Sequence, residues 1–339
     1  MQFIAIRLSI KRGIFIDHHE SDLPQKFHQK PTPRVGGIGI FLSCLLFVFT
    51  SKTGILLLIA AMPAFLAGVF EDVYLNLSPN KRLLIMIASG ILPAVLLNAV
   101  VTNFGIFNTN YSMGVFISFI AIIGLINGNN MIDGFNGLLG ITSIISFGSF
   151  AYISFMLCDY DLLFINGIII TAILGFILFN YPRGHIFMGD GGAYLTGFLM
   201  AVVAMLLSVR HPEVNPFFVL VCILYPATEV IFSFLRKGII HNASPFQPDR
   251  NHLHMLVNRY IVKKHNSKTV LVLAPVILFF NLLAIYNYQN QGILILLVAL
   301  FIILYVTGYY FLLKHQQKVE KRKGHFITIV LNKLKIKRR

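Results

Sequence analysis

The sequence predicts an all-α, polytopic integral membrane helix bundle of about ten transmembrane helices, and three observations predict it. Apolar residues make up 56% of the 339 positions without glycine, whereas soluble domains reach roughly 45 to 50% with glycine included. Charged residues are 12%, about half the usual quarter. The apolar residues also gather into ten runs long enough to cross about 30 Å of hydrocarbon as helices, without the two-residue alternation of barrel strands. A water-soluble globule could not cover so much apolar surface, and a disordered chain would not contain it.

The runs are 35–50, 54–70, 83–101, 113–128, 138–158, 162–179, 192–209, 214–235, 269–286 and 292–313. They make one integral domain, 1–339, ending in a basic tail at 314–339. Ahead of them, residues 1–10 form a short apolar stump broken by Arg7. It is too short to span and lacks a small-residue cleavage site, so no signal peptide is expected. Either the chain truly starts there, or this start lies inside a first helix that would make eleven.

Ten spans put both termini on one side. Of the 28 Lys and Arg residues, 26 fall on that side, and only Lys52 and Arg210 lie opposite. The positive-inside bias assigns the rich side, with both termini and the polar loops, to the cytoplasm. The net charge of +15 is then a record of topology, and no nucleic-acid partner is needed. Cys44, Cys158 and Cys222 sit in or at the ends of separate spans, without metal or redox spacing, and read as small apolar fillers.

The chemistry should lie on the inner loops, because polar clusters gather there and the outer loops are short and nearly uncharged. The first inner segment is His28-Gln29-Lys30-Pro31-Thr32-Pro33-Arg34-Val35-Gly36-Gly37. Its prolines impose an extended turn and its glycines allow close approach of a neighbour or an anion; Lys30 and Arg34 would be the cations of a phosphate site. The second, Gly68-Val69-Phe70-Glu71-Asp72, closes a span with two adjacent carboxylates that oppose each other and the helix dipole. A divalent or substrate cation would compensate them, as would solvation or pairing with Lys81 and Arg82.

In the third segment, 127–137, Asn127, Asn130 and Asp133 recur at i, i+3 and i+6, so two amides and a carboxylate share one face if the helix continues. The fourth, Asn180-Tyr181-Pro182-Arg183 through Ile186-Phe187-Met188-Gly189-Asp190-Gly191-Gly192, opens the seventh span. Glycines around an acid at a helix N-terminus offer N–H groups to phosphate, while the carboxylate suits Mg²⁺ shared with substrate phosphates; a simple N-cap is the plainer reading. The fifth holds Pro248-Asp249-Arg250-Asn251-His252-Leu253-His254, which suits a pyrophosphate or leaving-group site, or a transition metal. Glu229, the one acid inside a span, reads as a polar contact between helices.

These five segments, in this order and all on inner loops, resemble the polyprenyl-phosphate N-acetylhexosamine-1-phosphate transferases, a glycosyltransferase family 4 group, over about residues 28–254. The resemblance implies transfer of a sugar 1-phosphate from a UDP-N-acetylhexosamine to undecaprenyl phosphate at the cytoplasmic face, with release of UMP and initiation of a lipid-linked glycan. It implies Mg²⁺, with Mn²⁺ as a substitute. By position, Glu71 and Asp72 stand at the family's paired aspartates near the lipid phosphate, Asp133 at the acid of N-x-x-N-x-x-D, and Asp190 at the metal-binding acid, helped by Asp72. Asp133, Asp72 and Glu71 are the catalytic candidates. Lys30, Arg34, Asn130, Asn136, Asn180, Phe187, Arg250, His252 and His254 are the substrate-binding candidates, Asn180 and Phe187 as nucleoside contacts. The histidine motif is more similar to the N-acetylhexosamine branch than to the muramoyl-pentapeptide branch.

The chain departs from the family pattern at Glu71, which lengthens the first acid of the pair, and at Asn136, which removes a second aspartate. Met255 replaces a frequent histidine, and Ala193 a frequent serine. The muramoyl-pentapeptide reaction is the nearest alternative. A secondary transporter would place ionisable groups at mid-bilayer and often repeat its halves, which this sequence does not. The basic tail suits anionic membrane lipid, and a homodimer is compatible with the chain.

Overall fold

A computed structural model of the chain describes residues 6, 9, 15–17, 32–74, 79–240 and 251–336. Short strands β1 (Ile16–Asp17) and β2 (Thr32–Pro33) pair antiparallel. Twelve helices follow among the described residues: α1 (Gly36–Cys44), α2 (Lys52–Tyr74), α3 (Pro79–Leu97), α4 (Tyr111–Ile132), α5 (Leu138–Met156), α6 (Tyr160–Asn180), α7 (Gly189–Arg210), α8 (Pro216–Cys222), α9 (Leu224–Leu235), α10 (Leu253–Tyr260), α11 (Thr269–Tyr286) and α12 (Gln291–Ile336). The fold is all-α, and its long apolar helices make it a multi-pass membrane protein.

Seven of these helices, α2, α4, α5, α6, α7, α11 and α12, are each long and apolar enough to cross a membrane. The eighth expected run is broken: α8 and α9 meet at 79°. Pro226 explains the break. It has no N–H to give the Cys222 carbonyl one turn earlier, and its ring crowds that carbonyl. The Ser146 hydroxyl of α5 donates to the freed Cys222 carbonyl instead, at 2.7 Å. The remaining two expected runs are helical but short, at Gly36–Phe49 and Leu84–Leu97. The count by length is therefore seven, or eight with the bent pair, rather than ten.

Local chemistry starts several helices. Asn110 caps α4 by accepting from the Met113 N–H at 2.9 Å, and Asp159 caps α6 by accepting from Leu162 at 3.0 Å. Asn215 caps α8 ahead of Pro216, the first-turn position where a missing N–H costs nothing. The bundle is organised around α7, which is buried without a break from Gly191 to Leu207 and packs against α1, α2, α4 and α5. Such complete burial needs small residues where backbones meet. A Cβ at Gly197 would come within 2.6 Å of the Leu125 carbonyl of α4.

Because neighbouring helices alternate in direction, the C-terminal ends of α2, α4 and α6 gather with the N-terminal ends of α5, α7 and α10. The described residues of the inner-loop segments singled out in the sequence lie at this end. At the opposite end, Arg210 pairs with Asp161 at 2.9 Å and Asp159 at 3.4 Å, and His211 lies 2.9 Å from Asp159, tying α6 to α7. The Thr53 hydroxyl of α2 joins the same cluster by accepting from Arg210 at 2.7 Å.

Candidate active site

The first and fourth inner segments zip together along their backbones. The Arg34 N–H donates to the Phe15 carbonyl at 2.7 Å, Phe187 to Pro33 at 2.9 Å, Gly36 to Phe187 at 3.0 Å and Gly37 to Met188 at 2.8 Å. The glycines serve this contact: a Cβ on Gly37 would lie 2.2 Å from the Gly192 nitrogen. Phe187 is therefore held in place by its backbone, with a half-buried side chain.

The charge at the end of α2 is met by a neighbouring helix. Asp72 is buried, and its carboxylate accepts from the Asp190 N–H at 3.0 Å and the Gly191 N–H at 2.9 Å. The N-terminal amides of α7, expected to face a phosphate, are thus capped by a side chain from α2. The helix dipole adds to the attraction. Asp190 is not the N-cap of α7; Met188 holds that position. Arg34 approaches the same carboxylate, with Nη1 3.6 Å from Asp72 Oδ1. Glu71 precedes Asp72 and is half-buried. The side chains of Lys81 and Arg82, proposed partners for this pair, lie outside the described part, as do Lys30 and Arg250.

The third segment remains helical as far as Ile132, so Asn127, Asn130 and Asp133 do share a face, with Asp133 as the C-cap. Asn127 turns its amide back to the Ile123 carbonyl at 2.8 Å, and Asn130 is half-buried one turn before Asp133. Burial pushes the Asp133 carboxyl up to about 7; the nearby Asp190 charge adds to the rise and Arg34 opposes it. Asp72, Asp133, Asp190 and Arg34 therefore act on one another electrostatically at three helix ends.

Two asparagines hold the floor of this cluster. The Asn180 Oδ1 accepts from the Gly137 N–H at 2.6 Å and its Nδ2 donates to the Ile186 carbonyl at 2.8 Å, both in the interior. The Asn136 Nδ2 donates to the Pro182 carbonyl at 2.9 Å, while its own N–H donates to Asn266 Oδ1 at 2.6 Å. Both side-chain amides thus join the loop after α4 to the loop after α6, an arrangement an aspartate at position 136 could not make with the Pro182 carbonyl.

The histidines lie beside Asp133. His254 is fully buried, with Phe135 edge-on to its ring at 5.7 Å and Nε2 facing Gly134. His252 stacks parallel to it at 5.4 Å. Their partner is the residue the sequence left as a contact between helices. Glu229 on α9 takes His252 Nδ1 at 3.2 Å and His254 Nδ1 at 3.1 Å. An acid inside a span was the available signal, since it must be compensated, but nothing in the sequence says by which loop. Met255, at a position where a third histidine was a reference point, is buried in the apolar core.

The family model for glycosyl transferase family 4 matches residues 54–208, the stretch that carries Asp72, Asp133 and Asp190. The undecaprenyl-phosphate alpha-N-acetylglucosaminyl 1-phosphate transferase of Thermotoga maritima is 28% identical over 285 residues, covering 84% of this chain and 86% of its own length. Over these residues the chain is similar to glycosyl transferase family 4. Other relatives align over similar lengths. The enzyme of the same name from Yersinia pestis is 28% identical over 296 residues, covering 81% of this chain and 78% of its own. A probable undecaprenyl-phosphate N-acetylglucosaminyl 1-phosphate transferase of Bacillus subtilis is 25% identical over 266 residues, covering 74% and 71%.

Among the described residues, no group of three or more His, Cys, Asp or Glu side chains is arranged to hold a metal by itself. Asp190 and Asp72 nevertheless supply hard carboxylate oxygens, the donor type Mg²⁺ takes when substrate phosphates complete its shell. Each Asp72 oxygen accepts one backbone N–H and retains a second lone pair. The donor set fits.

Proposed function

We propose that the protein transfers an N-acetylhexosamine 1-phosphate from a UDP-sugar to undecaprenyl phosphate and releases UMP. One observation carries the reading: the acids of three helix ends, Asp72, Asp133 and Asp190, meet beside Arg34 and the buried His252–His254 pair in a chain similar to this family. Anionic substrates need such a site to offer cations, hydrogen-bond donors and metal ligands together. A lipid phosphate reaches it from the membrane and a nucleotide from water, because it lies at the ends of apolar helices.

Phosphoryl transfer depends chiefly on alignment and neutralisation of charge. Asp190, with Asp72, would hold Mg²⁺, or Mn²⁺ in its place, which when bound neutralises the pyrophosphate. Asp133, with a carboxyl near 7, takes the proton of the lipid phosphate or orients it. The lipid phosphate oxygen bonds to the sugar-bearing phosphorus as the bond from that phosphorus to the UMP oxygen breaks. The electron pair stays on UMP. His252 and His254, as imidazolium donors, would hydrogen-bond the departing phosphate, and Arg34 would draw the anions in. Glu71 extends the acidic edge of α2.

The same reading takes all ten apolar runs as spans, turns the site toward the cytoplasm of a bacterial inner membrane, and sets the basic tail against anionic lipid. Its support is the 26 cations on one side against two on the other. The test is incubation of the purified protein with undecaprenyl phosphate and a panel of UDP-N-acetylsugars, weighing the lipid product and measuring UMP. A Mg²⁺-dependent lipid-linked sugar phosphate is expected, and its loss in Asp190→Asn. No product with any sugar overturns the function; wild-type Mg²⁺-dependent release by Asp190→Asn overturns the metal assignment.

A further inference from the structure

Glu229 is 1% exposed within α9, where an uncompensated carboxylate would be expensive. Its two oxygens are divided between two imidazoles. Oε2 takes His252 Nδ1 at 3.2 Å, Oε1 takes His254 Nδ1 at 3.1 Å, and the Tyr225 hydroxyl lies 3.3 Å from both Oε1 and His254 Nδ1. The rings are parallel to within 5°. In an imidazole, Nε2 lies across the ring from Nδ1. A carboxylate that holds Nδ1–H therefore selects the tautomer and aims Nε2 away from itself.

The far side of His254 is informative. Its Nε2 is buried and has no hydrogen-bond partner among the described residues. It faces the turn that follows Asp133, lying 3.8 Å from where a Gly134 Cβ would sit. A buried ring nitrogen left unpaired is costly, and a bound substrate atom would offset that cost. Nothing else about the ring is free to move, since Phe135 and His252 hold its edge and face.

We propose that Glu229 is a positioning residue of the transfer reaction, orienting His252 and His254 so that His254, in its protonated form, presents Nε2–H to the departing nucleotide phosphate beside Asp133. This rests on the transferase reading above. Glu229 itself touches no substrate; it acts through the histidines, and the bend at Pro226 brings α9 to the place where it can do so.

The test uses the full-length protein in detergent or nanodiscs, with wild type, Glu229→Gln, Glu229→Asp, His254→Ala and the Glu229→Gln/His254→Ala double variant. UMP release gives kcat and KM for the UDP-sugar, and melting gives the folded state. Glu229→Gln should lower kcat by about 100-fold with KM little changed, as when an orienting carboxylate is lost from a histidine. Burial pushes the His254 imidazole down and Glu229 holds it up, so the imidazole limb of the pH profile should move to lower pH in Glu229→Gln. Tyr225, Tyr305 and Tyr309, Arg236 over the Tyr309 ring, and Asp133 also face this group, and all are unchanged in the variant.

Glu229→Asp keeps the charge on a shorter arm and should recover part of kcat. The double variant should be no slower than His254→Ala, because the two residues act as a unit. A folded Glu229→Gln protein with wild-type kcat and pH profile overturns the proposal, as does full additivity in the double variant. If Glu229→Gln does not fold, wild-type kcat in Glu229→Asp overturns it. A wild-type protein that makes no lipid-linked product refutes the transferase reading instead, a distinct result.

Discussion

Replacing Gly68 with alanine would drive a methyl group into the backbone of α7. The new Cβ would stand 2.4 Å from the Asp190 carbonyl carbon and oxygen and from the Gly191 nitrogen, against 3.4 Å for ordinary contact. Backbone atoms cannot swing aside, so α2 and α7 must part by about 1 Å. Asp72 lies one turn beyond Gly68 and moves with it. Its bonds to Asp190 and Gly191, now 3.0 and 2.9 Å, would stretch to about 4 Å and cease to be hydrogen bonds. Charge-assisted bonds contribute about 1.5–3 kcal/mol each, and overpacking costs about 1–3 kcal/mol more. With partial relaxation, a loss of about 3 kcal/mol follows. Displacing a catalytic acid by about 1 Å should also lower kcat by about 100-fold. The assay is UMP release by purified protein beside its melting curve. Gly124→Ala, on α4 with open space around the new methyl, is the control and should behave as wild type. A Gly68→Ala protein with kcat within about threefold of wild type and an unchanged melt would refute the claim that Asp72 positions Asp190 through this contact.

Three further outcomes follow from the geometry. With the Asp133 carboxyl near 7, the group is protonated below that pH and ionised above it, so kcat/KM should rise with pH through a midpoint near 7; a limb near 4 would show that burial does not control it. Asn180→Ala removes two interior hydrogen bonds and should cost about 2–4 kcal/mol in a denaturation assay, lowering the active fraction while leaving KM for the UDP-sugar unchanged; a raised KM at full stability would instead mark Asn180 as a nucleoside contact. Burial raises the Asp159 carboxyl, but its bond from Leu162 and its His211 and Arg210 partners outweigh that and hold it low. Its stabilisation is thus present above the ordinary carboxylate range and lost as pH falls through its depressed value. Asp159→Asn should cost on the order of 1 kcal/mol in melts at neutral pH and less in acid, with unchanged activity per folded molecule.

The five polar segments were legible because each is a local pattern: an acid pair closing a run, amides repeating every third residue, glycines around an aspartate. Their roles were less so. Asp72 and Asp190 were read as two members of one metal site, and Asp72 turns out to cap the helix that carries Asp190, across 118 residues of chain. The resemblance implies substrate contacts at Asn136 and Asn180, and their amides are engaged within the protein. The glycines at 37 and 68 receive backbone from α7. None of these partners is close in sequence, so no spacing rule could name them.

By itself, then, the sequence determined the apolar helices, the end of the bundle where the chemistry lies and the acids and histidines that gather there, since run length, charge and local spacing are properties of neighbouring residues. Only the tertiary structure decided the bend at Pro226, the capping of α7 by Asp72 and the joining of Glu229 to His252 and His254. Each depends on which buried polar group lies opposite another once helices pack, and in an apolar interior an unpaired group is costly enough that the partner, rather than the residue type, fixes its role.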